Sequence, residues 1–115
     1  MKLILFVFSV VLSFTPSLSF AQQPKGDTGP ASQAFNGVNS RMHQGMDIVF
    51  SGNVDADYAK AMISVHQGAI DMARTAIAFG KDAELKKLAE TTIRGEEAAL
   101  AALQAWISRQ PKQAP

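Results

Sequence analysis

Two runs of helical periodicity, separated only by Gly80-Lys81-Asp82, restrict this chain more than any other feature. In the first run Tyr58, Met62, Val65, His66, Ala69, Ile70, Ala73, Ala76 and Ile77 recur every three or four residues, while Lys60, Ser64, Gln67, Asp71 and Arg74 take the other side. That is the pattern of an amphipathic helix. Leu85, Leu88, Ala89, Thr92, Ile93, Leu100, Leu103, Trp106 and Ile107 form the stripe of a second. So short a link leaves the second helix nowhere to go but back along the first, antiparallel to it. Asp55 or Asp57 is expected to cap the first helix, Gly80 to end it after Phe79 in the left-handed conformation, and Asp82 to cap the second.

Asn36 to Phe50 reads as a shorter leading helix, with Met42, Met46, Val49 and Phe50 on one side and His43 at its margin, before Ser51-Gly52-Asn53 breaks the pattern. Strand signals are weak throughout. The expected fold class is all-α, an antiparallel helical hairpin plus a shorter leading helix, either a three-helix unit or half of a dimeric four-helix bundle.

The ends read differently. Residues 1–21 have the form of a secretory signal: Lys2 is the basic start, Leu3 to Leu12 is apolar but short for a membrane span, and Ser19-Phe20-Ala21 offers the small residues of a cleavage site. An uncleaved anchor is the alternative. Residues 22–34, rich in Gln, Pro, Gly and Ser, are expected to be a flexible lead-in, 35–108 the helical domain and 109–115 a flexible tail. The mature protein is then exported, periplasmic or secreted, with no membrane attachment once the leader is gone.

Of 11 basic and 10 acidic residues, loss of Lys2 leaves 10 of each. A neutral chain with mixed charges has no basic stripe for nucleic acid. The absence of cysteine excludes disulfides, thiolate metal sites and thiol catalysis. No Glu-x-x-His pair, His-Glu-x-x-His motif, phosphate-binding glycine loop or nucleophile elbow is present, so neither an enzymatic activity nor an organic cofactor is expected.

What remains is sulfur beside imidazole. Outside Met1 there are four methionines, and each lies within six residues of one of the two histidines: Met42 and Met46 bracket His43, and Met62 and Met72 flank His66. Thioether and imidazole are the ligands that suit Cu(I) and Ag(I). Methionine also fills cores, and that reading stands beside the metal one. His66 and Glu96 sit in the middle of otherwise apolar stripes, equally far from the bend at Lys81, so they should face each other. The carboxylate would then hold the proton of one ring nitrogen and leave the other free to ligate. An ordinary core hydrogen bond or ion pair explains the same placement.

Met62-Ile-Ser-Val-His-Gln-Gly-Ala-Ile-Asp-Met-Ala73, continued by Phe79-Gly-Lys-Asp-Ala-Glu-Leu-Lys-Lys-Leu-Ala89 and Trp106-Ile107, resembles the exported family known as domain of unknown function 305, and Met42-His43-x-x-Met46 fits its methionine-rich first helix. The resemblance implies a ferritin-like helical bundle and, as in the family's copper-handling members, Cu(I) and sometimes Ag(I) bound by Met and His for homeostasis or resistance. It carries Met42, His43, Met46, Met62, His66 and Met72 forward as candidate ligands. The chain departs from the family in having Val65-His66 where two histidines are usual, Glu96 where a Gln is, and Leu103 where a Met is. Met42, Met46, Met62 and His66 are expected to share one interior, with Glu96 orienting His66. The competing expectation is a metal-free structural or interaction module that dimerises through its apolar faces.

Overall fold

The computed structural model describes residues 26–111, among which the chain forms three helices and no strand: α1 (Pro30–Met46), α2 (Val54–Phe79) and α3 (Ala83–Ser108). The expected leader, the first part of the lead-in (22–25) and the last part of the tail (112–115) lie outside the described residues.

The leading helix sits earlier than its apolar pattern suggested. It starts at Pro30, inside the segment expected to be a flexible lead-in, because proline has its φ preset for the first helical turn and sacrifices no hydrogen bond there. The Asp27 carboxylate accepts from Gly29 N at 3.0 Å and from Ser32 Oγ at 2.7 Å, which ties down the entry. The helix ends at Met46, so Val49 and Phe50 are not on its apolar side but lie beyond it, 95% and 69% exposed.

Asp57 accounts for the turn that follows. It is a buried carboxylate inside α2 that reaches back to accept from Ser51 N and Gly52 N, each at 3.0 Å, and from Ser51 Oγ at 2.8 Å. Gly52, at φ 86, makes the left-handed step. The helix cap is neither Asp55 nor Asp57 but Asn53, whose side chain accepts from Ala56 N at 3.1 Å. At the other end Gly80 is extended (φ −68) rather than left-handed, and its N–H closes on Ala76 O at 2.8 Å. Asp82 caps α3 as expected, accepting from Leu85 N at 2.8 Å.

Helix α2 is the middle of a layer: α1 packs along one side and α3 along the opposite side, and the backbones of α1 and α3 do not approach each other, their side chains sharing only a hollow at the Gly80 bend lined by Ala31, Phe35, Phe79 and Leu85. Both neighbours run antiparallel to α2. On the α1 side Met42 lies over Gly68 and Gly45 lies over Ser64; on the α3 side His66 meets Glu96. Among the described residues the buried apolar ones are few and mostly small, Val38, Ala59, Ile70, Ala73 and Ala89, which lets the helix axes come close but leaves a thin core.

One broad surface of the layer is charged. Arg41 of α1 reaches Asp71 of α2 at 3.5 Å, Asp71 meets Arg74 at 3.8 Å, and Arg74 reaches Glu97 of α3 at 3.4 Å. These bridges are exposed and each adds little to stability, but together they fix which surface of the layer faces water.

Two outcomes follow for folding. A Cβ on Gly45 would stand 2.8 Å from Ser64 Cβ, so Gly45→Ala should destabilise the protein by about 1–3 kcal/mol through overpacking, read from denaturant unfolding. The bonds to Ser51 N, Ser51 Oγ and Gly52 N hold the Asp57 carboxyl below its ordinary value of 3.8, the first of them most strongly. A depressed carboxyl stabilises the fold at neutral pH and loses that effect as pH falls below the ordinary value. Asp57→Asn should therefore lower Tm at pH 7, and the gap to wild type should close as the pH is taken below 3.8.

Candidate metal centre

His66 occupies the α3 side of α2 because the stripe through Ala59, Ile70 and Ala73 is the one α3 covers, and Glu96 answers it from the middle of α3. The Nδ1 of His66 is in hydrogen-bonding contact with Oε2 of Glu96, both side chains being partly buried at 18% and 30% exposure. In the neutral ring the proton on Nδ1 is the one that the carboxylate accepts, and Nε2 keeps its lone pair. His66 borders a groove between α2 and α3 of about 660 Å³, shared with Tyr58, Leu103 and Trp106 and carrying Asp55 at one end. Met62, one turn before His66, is partly buried on the adjoining strip of α2.

The remaining methionines do not all join it. The sulfur of Met42 lies 2.6 Å from where a Cβ on Gly68 would stand, inside the α1–α2 seam. Gly68 is about 200° around α2 from His66, so the helix itself separates Met42 from the imidazole. Met46 is the last residue of α1 and 45% exposed, and His43 is exposed beside it. Met72 is partly buried on α2, ~15 Å along the axis from Met62 at the usual rise per residue. The expected single interior therefore divides: Met62 with His66 on the α3 side, and Met42 with Met46 on α1.

Two parts of this arrangement were not singled out from the sequence. Trp106 lines the groove with His66 and with Leu103, the position where the resemblance expects a Met, although its place three turns after Glu96 on the same stripe would have put it there. The ion-pair chain from Arg41 to Glu97 crosses three helices, and nothing local announces it. Among the described residues no three His, Asp or Glu side chains gather as ligands for a hard divalent ion. His66 and, one helical turn before it, Met62 offer an imidazole and a thioether, donor types that match a soft monovalent ion.

The chain belongs to the family described as Domain of unknown function (DUF305), whose model matches residues 15–107. No curated protein matches the chain.

The geometry sets a direct expectation for the ring. In nitrogen-15 NMR spectra of the metal-free protein with its imidazoles neutral, His66 should be held in the Nδ1–H form, and Glu96→Leu should release it to a mixture of tautomers. An Nε2–H ring in the unaltered protein would show that Glu96 does not orient it.

Proposed function

We propose that this protein is an exported carrier of Cu(I), with Ag(I) as its chemical analogue, that takes up the ion through His66, which borders the groove between α2 and α3, and through Met62 one helical turn away. The observation that carries the reading is the engagement of His66 Nδ1 by Glu96, which leaves Nε2 as a directed donor one turn from a thioether in a chain without a single thiol. His43 and Met46 at the end of α1 form a looser, more exposed set suited to capture or exchange rather than tight holding, while Met42 is held in the α1–α2 seam and Met72 lies apart from both. Export rests on the basic, apolar and small-residue succession of residues 1–21, and no helix among the described residues is long and apolar enough to cross a membrane. Such a carrier would serve copper homeostasis or resistance and needs no catalytic residue. The three-helix layer is read as part of a ferritin-like bundle.

A metal-free interaction module is the second reading. It is favoured by the exposure of Tyr58, Leu85 and Leu88, which stand about 60% open.

Competition for Cu(I) against a chromophoric chelator separates them. Met62→Leu and His66→Gln should each weaken binding by about tenfold or more, and Glu96→Gln by about tenfold to a hundredfold through loss of ring orientation. Leu103→Met conserves volume and sets a further thioether in the groove beside His66, so it should raise affinity, on the order of tenfold. Affinity untouched by all four changes would remove the copper assignment and leave the interaction module.

A further inference from the structure

The groove that reaches His66 ends in a different chemistry. Because His66 and Glu96 face each other across the hairpin, each residue further along α3 lies level with one residue earlier on α2. Trp106, ten residues after Glu96, is therefore level with Ala56, ten before His66, and these two border a second hollow together. Asp55 and Tyr58 lie within two residues of that level, about 3 Å along the axis at the usual rise, so a carboxylate, a phenol and an indole share one end of the groove. His66 is eight residues beyond Tyr58, about 12 Å further along. Ala59, Ala99 and Ala102 line the stretch between, and their small side chains leave the groove open at about 660 Å³.

The charges and rings at this end say what fits there. Among the described residues that line the groove, Asp55 carries the one standing charge, and neither Lys60 nor Arg109, the basic residues nearest in sequence, joins it. Asp55 is exposed and enters no ion pair among the described residues, so its charge is not neutralised within the chain. Tyr58, 60% exposed, and the partly buried Trp106 add two aromatic rings, whose negative faces attract a cation. A single carboxylate lacks the oxygens that a hard metal ion requires. It suits instead a cation whose charge is spread over alkyl groups and whose apolar surface is buried against rings and alanines.

We infer that this end of the groove binds a small organic cation with an alkylated ammonium head, held by Tyr58 and Trp106 with Asp55 as its counter-charge and its apolar body laid along the alanines toward His66. The ligand is a dissolved small molecule rather than a lipid headgroup, since the alanine-lined stretch takes up the apolar body that a lipid would leave in its bilayer. The site needs no metal and goes beyond the copper reading without resting on it.

Trp106 is the one tryptophan of the chain, so its fluorescence reports on the site. In titrations of the metal-free chain, choline and hexyltrimethylammonium should each change that fluorescence saturably, the hexyl compound binding about tenfold more tightly through its buried methylenes. Neohexyl alcohol, which has the shape of choline without its charge, should bind about tenfold more weakly than choline. By calorimetry with hexyltrimethylammonium, Asp55→Asn should weaken binding about tenfold and Tyr58→Leu about threefold to tenfold, while Tyr58→Phe, which keeps the ring, should cost about twofold at most. Both positions are exposed, so the circular dichroism of these variants should match that of the unaltered protein. Equal binding of choline and neohexyl alcohol, or unaltered affinity in Asp55→Asn, overturns the assignment. Phosphatidylcholine vesicles that bind more tightly per headgroup than the hexyl compound would make the ligand a lipid surface and overturn it as well. None of these titrations contains Cu(I), so their failure leaves the copper reading where it stands.

Discussion

Helix α2 has to serve two neighbours whose backbones do not meet. Because α1 and α3 pack on opposite sides of it, every side chain of α2 is committed to one seam, to the other, or to one of the two broad surfaces between them. Gly68 is given to Met42, His66 to Glu96, Asp71 and Arg74 to the ion pairs, and Met62 and Met72 to the uncharged surface. The division follows from a rotation of about 100° per residue and cannot be relaxed without unwinding the helix. It is the reason that four methionines close to two histidines in sequence do not become one cluster in space.

Much of the fold was written locally. The helices α2 and α3, the Asp82 cap and the short link all arise within one helix or one turn and are found where the sequence put them, but Tyr58, Leu85 and Leu88 of the apolar stripes stand about 60% exposed and Ser64, read on the polar side, packs under Gly45 of α1. The facing of His66 and Glu96 was also legible, since an antiparallel hairpin pairs residues equally distant from its bend. The errors have a common physical origin in competition between local signals. Val49 and Phe50 continued an apolar pattern, but Asp57 draws the Ser51 and Gly52 amides to itself and ends the helix earlier. Asp57 was one of two plausible caps until its carboxylate found these stronger partners, which left Asn53 to cap. At the start of α1, composition spoke for a loose segment while Pro30 and the Asp27 bonds to Gly29 and Ser32 nucleated a helix. The grouping of the methionines was not legible, because it depends on which side of α2 each neighbour takes.

A thioether is apolar enough to lie in a seam and soft enough to bind a soft ion, so packing and ligation are not exclusive roles. The structure separates them by exposure and company. Met42 is wedged over a glycine, and moving it to a metal would open a void against Gly68. Met62 and Met72 are only partly buried among the described residues, where reorienting a flexible side chain costs little. A donor set drawn from such positions would exchange an ion more readily than one buried in a preformed cage, which is what the proposed carrier requires.

The charged and uncharged surfaces of the layer are complementary in function. Arg41, Asp71, Arg74 and Glu97 form a continuous chain across three helices, and burying that surface against a second protein would strip water from every one of them. The opposite surface has no such penalty, and Tyr58 and Leu88 are each 60% exposed there. Among the described residues only five apolar side chains are buried, so the core is thin and the layer depends on the close approach of its helix axes. The ion-pair chain, weak as a source of stability, thus separates a polar surface of the layer from one on which Met62 and Met72 lie.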